Sequence, residues 1–137
     1  MGIPLSDEIR ALLDHPNYAH LATVMPDGAP HVTPVWVARE DDRVLLGIRD
    51  DSLKGRNTRR DPRVALSIVD VDDPYRMAEL RGRVIERRPD PQLADKDGMS
   101  QKYVGKPFPW RYPNGVVLVI EVERARYHAI PLEHAPA

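Results

Sequence analysis

The chain has 137 residues, a formal net charge of -1 and no cysteine. That length suits one domain, 1–137, with a single core; the balanced charge argues against a general nucleic-acid binder; and the missing thiols exclude disulfides, thiolate metal sites and cysteine nucleophiles. No apolar stretch approaches the roughly 20 residues of a membrane span, and the N-terminus lacks the basic start and apolar run of a secretion signal, so a soluble, cytoplasmic protein is expected.

Leu5, Ile9, Leu12 and Leu13 share one helical face, with Ser6 placed to cap and Asp7 and Glu8 in the acidic first turn. His15-Pro16 ends that helix. Tyr18 to Met25 is rich in strand formers, Pro26-Asp27-Gly28 is a turn, and Pro30 to Ala38 resumes an extended run, which together read as a β-hairpin. A turn at Glu40 to Asp42 leads into Arg43 to Ile48, so three consecutive strands are expected to form an antiparallel meander. Ser52 can cap a short helix, Leu53 to Arg60, that stops at Asp61-Pro62. Arg63 to Val71, Arg76 to Arg87 and Gly115 to Ile130 read as three more strands. Between the last two, Pro91 to Val104 is weakly helical with Gly98 as a flaw, and Lys106 to Asn114 is a loop rich in proline and aromatics. Six strands with two or three short helices predict a mainly antiparallel β-barrel.

Two segments carry possible chemistry. In Asp50 to Pro62, DDSLKGRNTRRDP, Lys54 falls in the first turn of its helix, where the helix dipole disfavours a cation by a few tenths of a kcal/mol unless an anion is present. A phosphate would reverse that sign: Ser52, Lys54, Arg56 and the exposed amides could converge on it, with Gly55 permitting close backbone approach. The alternative is a solvated basic helix. In His31 to Trp36, HVTPVW, a proline interrupts an otherwise good strand, which places the segment at a sheet edge, a bulge or a ligand. Trp36 reads as core or as a cofactor platform, and Phe108, Trp110 and Tyr112 either cover a cofactor or close the barrel. Gly82 marks a bulge or a close dimer contact.

The five histidines have no metal-ligand spacing, and the serines lie in no nucleophile-elbow context. A G-x-G-x-x-G fingerprint is also absent.

The ordered set of Gly28 to Trp36 (GAPHVTPVW), Ser52 to Pro62 (SLKGRNTRRDP) and Arg63 to Asp70 (RVALSIVD) resembles the deazaflavin-dependent branch of the pyridoxamine 5'-phosphate oxidase-like family, over Leu5 to about Tyr127. The resemblance implies an antiparallel split β-barrel of the FMN-binding kind, with short flanking helices, and a homodimer with cofactor sites at the interface. It implies that Val32, Thr33, Pro34, Val35 and Trp36 flank the cofactor ring and that Ser52, Lys54 and Asn57 hold its phosphate; Arg49 and Arg56 are further candidates. Coenzyme F-420 is the expected cofactor, with FMN as the alternative. The chain lacks the C-terminal tryptophan and arginine pattern of the oxidase that gives the family its name, so that activity is not expected. The expected function is hydride transfer to a conjugated small molecule such as a quinone, enone or tetrapyrrole. A non-catalytic cofactor carrier is the competing expectation.

Overall fold

The computed structural model describes residues 2–135. Among these the helices are α1 (Asp7–Asp14), α2 (Leu53–Arg60) and α3 (Ala94–Val104), and the strands are β1 (Ala19–Val24), β2 (Pro30–Val35), β3 (Ala38–Glu40), β4 (Arg43–Arg49), β5 (Arg63–Val69), β6 (Arg76–Pro89) and β7 (Gly115–Ala129). The strands form one antiparallel sheet in the order β2-β1-β5-β6-β7-β4-β3. This is the mainly β architecture expected. No helix among the described residues is long and apolar enough to cross a membrane.

Alternation along the strands sends one set of side chains inward. Leu21 on β1, Val44 and Leu46 on β4, Leu66 and Ile68 on β5, Leu80 on β6, and Leu118 and Ile120 on β7 form the barrel core. Helix α1 closes this core with Ile9, Leu12 and Leu13, and Ser6 caps it as expected, its hydroxyl accepting from the Ile9 amide at 3.3 Å. Helix α3 lies against the opposite face of β4, where a Cβ on Gly47 would meet Lys96 Cδ at 3.1 Å and Met99 Sδ at 3.6 Å. Gly82 sits at a register shift between β6 and β7, and a Cβ there would stand 2.0 Å from the Glu121 carbonyl oxygen. Its role is a close backbone crossing within the sheet.

The expected meander is only half present. Strands β1 and β2 form the hairpin, but β4 pairs with β7 and β3 at the far end of the sheet. The run from Pro30 to Ala38 is two strands, giving seven rather than six. The break lies at Trp36-Val37, where side chains of α3 capture the backbone. The Tyr103 hydroxyl accepts the Val37 N–H at 3.0 Å and donates to the Asn17 carbonyl at 2.6 Å. The Lys102 ammonium donates to the carbonyls of Val37 and Leu13, and burial pulls this amine down to about 8. With its polar groups satisfied by side chains, Val37 is fully buried and leaves the strand ladder. Pro34 therefore lies on an edge strand, where its missing donor does little harm.

Tyr103→Phe removes the hydroxyl and its bonds to Val37 and Asn17 while keeping the ring. It should lower unfolding free energy by about 1 to 3 kcal/mol, because a largely buried N–H and C=O lose their partner. Urea denaturation checks this, and an unchanged midpoint would show that the crossover is held by other contacts.

Candidate functional site

Because β2 and β3 end the sheet without pairing to each other, a gap remains between β2 and β4. A cavity of about 340 Å³ opens there, bounded by Pro34, Val35 and Trp36, by Leu46, Gly47 and Ile48 of β4, by Tyr18 and Phe108, and by two lysines, Lys54 and Lys96. Its size is in the range of small-molecule sites. Among the described residues, no Asp or Glu lines it.

Helix α2 delivers Lys54. Ser52 caps the helix, its hydroxyl accepting the Gly55 N–H at 3.2 Å and donating to the Arg49 carbonyl at 2.7 Å. Gly55 is required because a Cβ would stand 2.4 Å from the Asp50 carbonyl oxygen and 2.9 Å from that of Arg49; the close approach is to the chain's own backbone. Arg87 on β6 then locks the helix, donating to Asp50 Oδ1 at 2.8 Å, to the Gly55 carbonyl at 2.9 Å and to Thr58 Oγ1 at 3.0 Å. Arg59 pairs with the other Asp50 oxygen. Arg87 first, and Arg59 second, hold the Asp50 carboxyl below the usual carboxylate range.

The Lys54 ammonium has no hydrogen bond or ion pair among the described residues, and burial lowers its pKa. Lys96 comes from the first turn of α3. Its ammonium donates to the Gly47 carbonyl at 2.9 Å and stands 4.7 Å from the Phe108 ring centroid and 5.3 Å from that of Trp36. Burial lowers its pKa, repulsion by Lys54 lowers it further, and Asp90 opposes both. Asp90 makes no ion pair with it, accepting instead the backbone N–H groups of Asp95 and Lys96. Trp36 is stacked on Tyr103, with centroids 5.0 Å apart and planes 6° from parallel, and meets Phe108 edge-on at 5.9 Å.

Of the residues singled out from the sequence, Pro34, Val35, Trp36, Lys54 and Phe108 come together at this cavity. Val32 points away, 61% exposed on the outer side of β2. The Thr33 hydroxyl is buried with no hydrogen-bond partner, as is Nδ1 of His31 on the same face of that strand. Arg49 pairs with Asp51 at 3.3 Å and lies over the Tyr112 ring, and Arg56 is exposed; neither lines the cavity. Asn57 is 1% exposed, its amide donating to Thr23 Oγ1 at 3.1 Å while its carbonyl accepts from Arg60 at 3.2 Å. Both Ser52 and Asn57 thus have protein partners that fix the helix. Lys96 and Arg87 were not anticipated. Lys96 carries the same signal as Lys54, a cation in the first turn of a helix, but the weak helical pattern of its segment hid where that turn begins.

Asp50→Asn should lower stability at pH 7 by about 1 to 2 kcal/mol, through loss of charge-assisted bonds to two partly exposed arginines. A lowered carboxyl pKa stabilises the fold fully above the unfolded value of about 4 and loses that effect as the pH falls through the folded value. The wild-type advantage should therefore shrink below pH about 4. Chemical denaturation across pH measures this, and a constant difference between the two proteins would contradict it.

The family profile of pyridoxamine 5'-phosphate oxidase matches residues 5–129. The solved structure of an F420 reductase is similar at 34% identity and a TM-score of 0.78, over 90% of this chain and 98% of that one. A conserved hypothetical protein from Mycobacterium tuberculosis is 25% identical with a TM-score of 0.75, covering 99% of this chain and 94% of its own. General Stress Protein 26 from Bacillus anthracis, 20% identical with a TM-score of 0.69 over 89% and 92% of the two chains, shares the fold.

Proposed function

The chain belongs to the pyridoxamine 5'-phosphate oxidase family, and from that premise we propose that it is an oxidoreductase using a phosphorylated flavin-type cofactor, coenzyme F-420 in preference to FMN, to reduce a conjugated small molecule. The observation that carries the reading is Lys54: an unpaired, half-buried ammonium in the first turn of α2, on the wall of a cavity without carboxylates. An anionic phosphate would satisfy both the lysine and the first-turn amides that no intrahelical carbonyl serves. The 34% identity to an F420 reductase supports the deazaflavin over FMN.

When bound, the cofactor supplies the hydride. In this reading Lys54 holds the phosphate, Ser52 and Asn57 keep α2 in place, and Pro34, Val35 and Trp36 form the wall beside the ring. Thr33, whose hydroxyl lacks a partner, offers a further polar contact. Arg49 and Arg56, both outside the cavity, add positive potential along the approach. The same reading includes a homodimer, supported by exposed apolar groups near the cleft, Val32 at 61% and Trp110 at 71% exposed.

Titration with coenzyme F-420 and with FMN, followed by absorbance and tryptophan fluorescence, tests the proposal. F-420 should bind at micromolar levels or better, and Lys54→Ala should weaken it by about 1 to 3 kcal/mol, as for a charge-assisted contact. Failure of both cofactors to bind, or an unaltered affinity in the variant, would overturn it. Tight binding without hydride transfer to quinones or enones would convert the reading to a carrier.

A further inference from the structure

Lys96 lines the same cavity as Lys54, the residue assigned above to the phosphate, and among the described residues it too makes no ion pair with a carboxylate. It is the third residue of α3, as Lys54 is the second of α2, so both lysines stand at the helix end where the backbone dipole opposes them. An ammonium has three donors, and the Gly47 carbonyl takes one of them. The faces of Trp36 and Phe108 lie beneath the rest of the group at 5.3 and 4.7 Å. Two positive charges in a partly desolvated space repel each other, and no acidic side chain lines the cavity to relieve them.

The two lysines stand in different surroundings. Lys54 stands beside the N-terminal amides of α2, which suit a phosphate. Lys96 stands beside flat aromatic surface, a setting that suits an anionic oxygen carried on a planar conjugated body.

We infer that Lys96 is a specificity-determining residue that recognises the acid group of the hydride acceptor, making the substrate class planar conjugated carboxylates. This rests on the oxidoreductase reading above, since it assigns Lys54 to the cofactor and Lys96 to the molecule beside it. Lys96 selects for the acid because a carboxylate is a stronger partner for the ammonium than the two ring faces it now lies over, and the neutral analogue offers no such charge. Phe108, which lines the cavity beside Lys96, borders the conjugated body.

The test compares 2-naphthoate with its neutral isostere 2-naphthamide, read by quenching of Trp36 fluorescence in a Trp110→Phe background, on protein saturated with whichever cofactor it binds. Wild type should prefer the carboxylate by about tenfold or more, as a charge-assisted contact provides. Lys96→Met should abolish that preference, and Lys96→Arg should retain most of it. Equal binding of the two probes, a preference that survives in Lys96→Met, or displacement of the cofactor by naphthoate would overturn the assignment. If neither cofactor binds, the oxidoreductase reading falls on its own. The same probes on the free protein would then support an acid-recognising Lys96 if the preference depends on it, and overturn that role if it does not.

Discussion

The hold that α3 takes on Val37 shapes the cleft on which the site depends. Tyr103 takes the Val37 amide and Lys102 its carbonyl, so the chain leaves β2 and re-enters the sheet at its opposite end. Had the strand run on from Pro30 to Ala38, its edge would have kept to one side, and the gap between β2 and β4 would not open beside Trp36. The same tyrosine stacks on Trp36 and sets the orientation of the cleft wall. A few polar contacts thus convert a continuous sheet into one with an apolar opening between its ends.

Into that opening two helices each bring one lysine. Burial disfavours both ammonium groups, and Lys96, which Lys54 repels and only Asp90 at a distance relieves, rests on aromatic faces and a carbonyl. The scaffold behind α2 is firm: Asp50, Arg87, Thr58 and Asn57 tie it to β6 and β1, and Gly55 lets it sit directly on the Arg49-Asp50 backbone. Rigid support behind an unsatisfied charge is the arrangement expected of a preorganised anion site. The position of Lys54 is set by the fold and not by any contact of its own ammonium.

Much of this was legible in the sequence because it is local. Ser52 as a cap, Lys54 at a helix start, the Asp27-Gly28 turn and the proline of an edge strand all depend on neighbours a few residues away. The crossover was not legible, since Val35 and Val37 both favour strand and the break depends on Tyr103, 66 residues further on. Asn57 entered as a phosphate contact through the family resemblance, and the partner that holds its side chain, Thr23, lies 34 residues upstream, beyond any local pattern. Lys96 was hidden by Gly98 and by the left-handed Leu93 that starts α3, which blur the helical pattern. Most of the cavity-wall residues singled out in advance came from the ordered motifs, whereas the residues that fix the wall act through distant pairings.

The most direct test is a crystal structure of the complex with coenzyme F-420. The account predicts the phosphate within hydrogen-bond distance of the Lys54 ammonium at the start of α2, and the deazaflavin ring along Pro34 to Trp36. A phosphate seated elsewhere, for instance on Arg56 or Arg63 outside the cavity, would contradict it.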